Sequence, residues 1–400
     1  MRLDDRRMRR QGRRMLRTSR GGSRIVAACL TAGVSCIAAH GADRVTIAAG
    51  GVVLPDGSIG GASTVVVEGG RFREISAAAS APAADGVVNH SGAVLCPGLI
   101  DARSALGVAS LGRHVERSVA IAPELSLREA IDVRHRDFAS ALRTGVTAAL
   151  IVPAGNNVVG GAAQAVRIGA GGEAEWLRED GPLVMTLGQS VLEFDREPTS
   201  RIGAVTLLES ALSQGKRGEG PARMRAAARG QLDVLMMCEA AEDLAAAARL
   251  LGGAPIKARL AYTPTDVEAE SAWMSSFEGP VVLDTMTFAT TPRVLRTAGL
   301  LAAGGKEVVF AGALPYAPAD SLRISAALAV RYGLDASAAR RAITINPAKV
   351  AGVAERVGSI EKGKDADFVV FSGDPLRLES RVLEVYVKGV KVYDAALQTE

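Results

Sequence analysis

Short apolar runs, separated by turns rich in glycine, proline and acidic residues, mark both ends of the 400-residue chain. The runs near the N-terminus span residues 44–49, 51–54 and 64–68. Those near the C-terminus span residues 367–371, 382–387 and 390–393. Short β-branched runs bounded by turn residues predict β-strands. Because neither block is large enough to bury a core alone, we predict one small composite β-sandwich domain formed by both chain ends, residues 43–96 plus 351–400.

Between these blocks, residues 97–350 alternate short apolar runs with Ala-, Leu-, Arg- and Glu-rich segments of helical pattern, such as residues 239–251 and 321–332. The strand-like runs are residues 148–152, 183–187, 234–237, 258–261, 281–283 and 308–311. Strand–helix alternation over about 250 residues is typical of an α/β fold of the (β/α)₈ TIM-type barrel kind. A doubly wound open sheet also alternates, but the Gly-x-Gly-x-x-Gly string of nucleotide folds is absent at the first strand–helix turn, which favours the barrel.

The basic residues are concentrated in the first part of the chain. Residues 1–24 contain ten Arg and two Asp, a net charge of +8, so the remaining residues sum to +4 − 8 = −4. The whole-chain pI near 9.0 therefore does not indicate nucleic-acid binding. Residues 25–39 then form an apolar run of fifteen residues, shorter than the roughly 20 residues that span a bilayer.

A basic segment followed by a short apolar run is the pattern of an export signal. We predict that residues 1–42 are a leader, that the protein is exported to the periplasm, and that no membrane contact remains after the leader is removed. The alternative is a disordered basic tail beside a membrane anchor. Of the four cysteines, Cys29 and Cys36 lie in the leader, and Cys96 and Cys238 lie in apolar runs. We expect these two to be buried thiols rather than a disulfide.

Motifs spread over most of the chain resemble those of a known family. The opening Pro97-Gly98-Leu99-Ile100-Asp101 is similar to the first barrel strand of the amidohydrolase superfamily, and residues 343–349 and 357–371 are similar to its last helix and return strand. Residues 145–147, 153–161, 187–189 and 198–203 resemble its imidazolonepropionase-like branch. The resemblance implies metal-dependent hydrolysis of non-peptide C–N bonds, with zinc or another divalent metal as cofactor.

The positions that the resemblance assigns to metal ligands do not hold ligands. Family members carry His-x-His on the first strand, single histidines on the fifth and sixth strands, and an aspartate on the eighth. The aligned residues here are Arg103, Ala105, Met237, Ala261 and Ala313, and no histidine occurs between residues 136 and 400. A guanidinium stays protonated and cannot ligate a metal. We therefore predict no metal cofactor and name no catalytic residue.

A ligand pocket is predicted at the same end of the barrel. Its candidate residues are Arg103, Asn156, Asn157, Gly160, Gly161 and Gln189. Asn side chains donate and accept hydrogen bonds, and Arg103 would attract a small anionic ligand. Two alternatives stay open: the loop only closes the barrel, and Arg103 pairs with Asp101 or another acid.

The remaining histidines suggest no metal site of ordinary spacing. We expect His90 to be exposed in the sandwich, and His114 and His135 to flank a loop and helix after the first strand. A makeshift metal site of His114, His135 and Asp284 is an alternative to ordinary surface roles.

Three functions are compatible with this sequence. The first is a non-catalytic barrel that binds a ligand, forms a homo-oligomer or pairs with an intact amidohydrolase. The second is an active C–N hydrolase with an unorthodox site, and the third is a metal-free enzyme that uses Arg103 and acids. The fold by itself cannot decide among them.

Overall fold

The computed structural model describes residues 44–77, 87–108, 116–169, 171–178, 180–252 and 255–398. The predicted leader, residues 1–42, lies outside the described residues. Within the described ranges, no helix is long and apolar enough to cross a bilayer.

The described strands, in chain order, are β1 (Arg44–Val53), β2 (Ile59–Gly60), β3 (Ser63–Glu68), β4 (Arg71–Ala77), β5 (Val87–Pro97), β6 (Leu99–Ser104), β7 (Val146–Ile151), β8 (Val159–Ala162), β9 (Gln164–Ile168), β10 (Ala174–Arg178), β11 (Leu183–Leu187), β12 (Val234–Cys238), β13 (Ala258–Ala261), β14 (Val281–Leu283), β15 (Val308–Phe310), β16 (Phe368–Phe371), β17 (Val382–Val387) and β18 (Val390–Asp394).

The described α-helices are α1 (Arg136–Leu142), α2 (Arg201–Arg217), α3 (Ala222–Ala228), α4 (Ala241–Leu251), α5 (Val267–Met274), α6 (Pro292–Ala303), α7 (Ser321–Arg331), α8 (Ala336–Arg341) and α9 (Ile345–Ala351). Short 3₁₀ helices span Leu127–Ala130, Gln189–Val191 and Ala395–Gln398.

Strands from both ends of the chain pair in one sheet. Its order is β18-β17-β16-β5-β1-β3-β4, with β2 paired to β1. The two ends meet where β16 runs antiparallel to β5, with Val369 opposite Cys96. The predicted division into residues 43–96 plus 351–400 and residues 97–350 stays a prediction.

This sheet curls over its own apolar face. Phe72 on β4 and Phe368 on β16 lie four strands apart in the sheet order. A flat sheet would separate them by about 19 Å, because neighbouring strands are about 4.8 Å apart. Their ring centroids are only 6.0 Å apart, and Phe368 stacks on Tyr386 at 4.5 Å. The curled face therefore encloses a core of its own.

The middle of the chain has a TIM-barrel-like fold of mixed α/β content. Strands β6 and β7 are parallel, and β11 to β15 form a parallel series with helices between successive strands. Hydrogen bonds connect these strands in two sheets, ordered β10-β9-β7-β6 and β15-β14-β13-β12-β11-β8. The described strands are thus not joined as a single closed ring of eight parallel strands.

The predicted strand–helix alternation is wrong between β7 and β11. That segment contains β8, β9 and β10, and β9 runs antiparallel to β7. Residues 159–178 are rich in glycine and in small and β-branched side chains, which favour strands and turns over a helix. A hairpin-like insertion consequently takes the place of one crossover helix.

Candidate functional site

A cavity of about 470 Å³ opens at the carboxyl ends of the parallel strands. Its wall combines the ends of β6, β11 and β12 with residues that follow β7, β13, β14 and β15. Small-molecule sites are commonly of this size, and in TIM barrels they lie at this end of the strands. The cavity is therefore the candidate functional site.

An ion pair lies on the wall of the cavity. The Arg103 guanidinium on β6 bonds to the carboxylate of Asp284, the residue that follows β14. Both side chains are partly exposed, at 33% and 52%. The backbone N–H of Asp284 donates to Thr263 Oγ1 at 2.8 Å, which fixes the loop that carries the acid. Arg103 therefore pairs with an acid, which was one of the alternatives left open by the sequence. The acid is Asp284 rather than Asp101.

Asp101 has a different role, because its carboxylate joins β6 to the loop after β15. Its Oδ1 accepts from the backbone N–H of Gly312 at 2.6 Å and of Arg103 at 3.0 Å. Its Oδ2 accepts from the N–H of Leu314 at 3.2 Å. Burial raises the pKa of Asp101 to about 6, although these N–H donors and the Arg103 charge act in the opposite direction.

The loop that Asp101 holds has a strained backbone. Ala313 has φ 51°, a left-handed conformation that is uncommon for residues other than glycine. The residues on either side of Ala313 donate their N–H groups to Asp101. A Cβ on Gly312 would lie 2.7 Å from Asp101 Oδ2, so the close approach requires glycine there. The carboxylate thus stabilises the conformation that brings Ala313 to the cavity.

Glu239 organises the opposite side of the cavity. Its Oε2 accepts from the N–H of Gln189 at 2.6 Å, and both its oxygens accept from the N–H of Ser190 at 3.3 Å. Ser190 Oγ in turn donates to the carbonyl of Gly155 at 2.6 Å. One carboxylate thereby links the end of β12 to the turns after β11 and β7. Glu239 was not among the predicted site residues, although an acidic residue directly after a buried strand indicates a position at the mouth of a barrel.

Of the predicted pocket residues, Arg103 lines the cavity, and the Asn-Asn-Gly-Gly turn and Gln189 do not. Asn157 is 3% exposed, and its amide donates to the carbonyls of Glu116 and Val119 at 2.8 and 2.6 Å. Gly161 has φ 91° and lies against the Leu125 carbonyl. The Asn157 amide is thus already bonded to two backbone carbonyls, and a ligand role for this turn stays a prediction.

The remaining predicted turn residues also make backbone contacts outside the cavity. The Asn156 carbonyl accepts from Arg196 Nη2 at 2.6 Å, and its amide lies 3.4 Å from the Ser190 carbonyl. Gly160 packs beside Pro153.

Four of the five predicted metal positions lie at the cavity. Arg103, Ala105, Met237 and Ala313 line it. Ala261 does not: it is 2% exposed within β13 and packs in the interior cluster between the sheets. Thr263, two residues further along, reaches the cavity instead. The assignment of Ala261 to the ligand position of the sixth strand stays a prediction, and Thr263 is the residue of this segment that lines the cavity.

Two of the three residues of the alternative metal site, His135 and Asp284, are among the described residues. His114 lies outside the described residues. His135 is the N-cap of α1, and its Nδ1 lies 3.0 Å from Asp137 Oδ2, whereas Asp284 pairs with Arg103. The prediction that His90 is exposed is wrong: its side chain is 15% exposed, and Nε2 lies 3.0 Å from Glu384 Oε2.

The side chains at the cavity do not fit a catalytic metal. Among the residues that the structure describes, no group of three or more His, Cys, Asp or Glu side chains could hold a metal ion. Asp284 is engaged by Arg103, and Glu239 by two backbone N–H groups. Burial raises the pKa of the Cys238 thiol, which disfavours the thiolate that binds metals. Cys96 and Cys238 are buried free thiols, as predicted.

Comparisons with known proteins agree with this architecture. Residues 310–392 match the profile of the Amidohydrolase family. The chain is 32% identical to Amidohydrolase tasK of Hapsidospora irregularis over 90 residues, which cover 22% of this chain and 9% of that relative. The crystal structure of an amidohydrolase from Thermotoga maritima MSB8 is similar with a TM-score of 0.75 and 25% identity, covering 88% of this chain and 100% of that chain. Phenylurea hydrolase B has a similar fold, with a TM-score of 0.59, 16% identity and coverage of 89% and 98%.

Fold and cavity define a TIM-barrel-like protein whose site lies at the carboxyl ends of its strands. The profile match, the curated relative and the structural likeness support the amidohydrolase superfamily as the family that this chain resembles.

Proposed function

We propose that this chain is a non-catalytic member of the superfamily, which has lost its metal ligands and binds a small ligand through Arg103. The observation that carries the proposal is the Arg103–Asp284 ion pair on the cavity wall. Arg103 occupies a position where the resemblance expects a histidine ligand, and its fixed positive charge repels a divalent cation. The same charge favours an anionic group on a ligand.

The rest of the wall supports binding rather than metal-assisted hydrolysis. Ala105, Met237 and Ala313 contribute alkyl or thioether groups at the other predicted ligand positions. The cavity nevertheless keeps a defined shape, because Asp101 and Glu239 fix the surrounding loops by hydrogen bonds to backbone N–H groups. An active C–N hydrolase with an unorthodox site is the competing function.

Metal content and hydrolysis test the proposal together. The purified protein is incubated with zinc, dialysed and submitted to elemental analysis, in parallel with an amidohydrolase that retains its His-x-His motif. We expect well under one zinc ion per chain here and retention by the control protein. Amide and lactam substrates are then assayed with and without added zinc. Stoichiometric zinc after dialysis, or turnover that depends on zinc, would overturn the proposed function.

A further inference from the structure

Charged groups of both signs lie on the wall of the cavity. Arg103 contributes one cation, and Asp284 and Glu239 contribute two carboxylates. Because Asp284 directly contacts Arg103, any anion that bonds to the guanidinium is brought next to a carboxylate. A simple anion would therefore meet repulsion from Asp284, and a simple cation would meet repulsion from Arg103.

We infer that the ligand is a zwitterion with adjacent charges, of the α-amino acid class, an inference that rests on the proposed binding function. Its carboxylate bonds to the Arg103 guanidinium, and its ammonium bonds to Asp284. Each charge of the ligand thus lies beside a protein group of the opposite charge. Because the Arg103–Asp284 ion pair is partly exposed, it contributes little to the stability of the fold. A ligand that pairs with both side chains can therefore replace this ion pair with little loss of free energy.

The third charged group on the cavity wall is Glu239. Glu239 accepts backbone N–H groups on one side, and a carboxylate has about four lone-pair sites. Its remaining lone pairs can accept from the ligand ammonium. With two carboxylates and one guanidinium on its wall, the cavity should bind a ligand with a charged ammonium group more tightly than the same ligand with its amine blocked.

The remainder of the wall suits an uncharged side chain. Apolar surface is provided by Ala105, Val152, Pro153 and Met237. The cavity volume of about 470 Å³ is large enough for an amino acid. The Thr186 hydroxyl, on the wall beside Met237 in the β11–β12 ladder, is buried and has no hydrogen-bond partner among the described residues. A buried hydroxyl without a hydrogen-bond partner is energetically costly, and a polar atom of a ligand that reached Thr186 Oγ1 would remove that cost.

Three matched probes test the charge requirement by isothermal titration calorimetry. L-Leucine carries both charges, N-acetyl-leucine only the anion, and leucinamide only the cation. We expect leucine to bind at least about tenfold more tightly than either blocked form, since each lost group removes a charge-assisted hydrogen bond. Asp284→Asn should reduce the preference for leucine over N-acetyl-leucine at least about threefold, with Glu239 retaining the remainder, and Arg103→Gln should abolish the preference for leucine over leucinamide. Arg293→Gln, which breaks an exposed ion pair outside the cavity, serves as the matched control and should bind leucine like the wild type.

The outcomes separate this inference from the proposed function. If N-acetyl-leucine binds as tightly as leucine, the ligand is a simple anion, and the zwitterion inference fails while a binding function stands. If none of the three probes binds at concentrations up to about 10 mM, or if Arg293→Gln impairs binding as Asp284→Asn does, the inference is also wrong. Retained zinc or zinc-dependent hydrolysis would instead refute the proposed function.

Discussion

Replacement of Asp101 by asparagine should change how the stability of the fold depends on pH. Asp101 is fully buried, and its carboxylate accepts from three backbone N–H groups in β6 and in the loop after β15. Burial raises its pKa from 3.8 to about 6. A group whose pKa is higher in the folded state stabilises the fold below its unfolded pKa, and that contribution is lost as the pH rises through the folded value.

The size of the effect follows from the two pKa values. Each pH unit between 3.8 and about 6 corresponds to about 1.4 kcal/mol of stability. Over the whole window, ionisation of Asp101 therefore costs about 3 kcal/mol. Between about pH 4.5 and pH 7.5, where denaturation is easily measured, the change is about 2 kcal/mol. An asparagine side chain cannot ionise, so the Asp101→Asn variant lacks this pH-dependent contribution at every pH.

Urea denaturation of the wild type and of Asp101→Asn at about pH 4.5 and 7.5 measures this difference. We expect the variant to be less stable than the wild type at the lower pH, because its amide N–H₂ faces a backbone donor. That deficit should shrink by about 2 kcal/mol at the higher pH. Asp180→Asn, at an exposed ion pair with Arg223, is the control and should show no comparable change. A deficit that stays constant or grows with pH would refute the reasoning, since the three N–H donors would then outweigh burial.

Three further predictions concern the site and the packing. Arg103→His combined with Ala105→His should give no metal-dependent amide or lactam hydrolysis, because catalytic zinc commonly needs three protein ligands; a strong zinc-dependent gain would contradict this. Arg167→Met should lower the free energy of unfolding by about 3–5 kcal/mol, since Arg167 is 1% exposed and neutralises two buried carboxylates; a loss below about 1 kcal/mol in urea denaturation would contradict the buried pairing. Gly98→Ala should cost about 1–3 kcal/mol, because its Cβ would lie 1.9 Å from Thr147 Oγ1, and Thr147→Ala should restore part of the loss in the same assay.

The strands of the middle segment were predictable because buried parallel strands are short, continuous apolar runs. Residues 183–187, 258–261 and 281–283 were predicted with the observed boundaries. The segment after β7 was not, because its glycines and small residues have no clear period and its antiparallel pairing with β7 depends on contacts distant in sequence. The pairing of the two chain ends rested on the argument that neither block alone could bury a core.

The site was predictable in part. Residues at the carboxyl end of a parallel strand meet at one end of a barrel, and so Arg103, near the end of β6, could be placed at the mouth from the sequence. That Arg103 pairs with Asp284 rather than with Asp101 could not be predicted, because the pairing depends on the direction of each side chain. Asp101 points into the fold, where backbone donors surround it. Nor does the sequence show that the Asn157 amide, in the 156–161 turn, is already bonded to backbone carbonyls.

Arg103 can supply a positive charge to the site but cannot replace a metal as an activator of water. A divalent metal lowers the pKa of bound water from about 15.7 to about 7, roughly nine units. A guanidinium about 4 Å from a water molecule, at an effective dielectric constant of about 20, contributes about 4 kcal/mol. That energy lowers the pKa by only about three units, and the Asp284 carboxylate beside Arg103 offsets much of it. Hydroxide would therefore be scarce near neutral pH, whereas a bond between Arg103 and a ligand carboxylate requires no such activation.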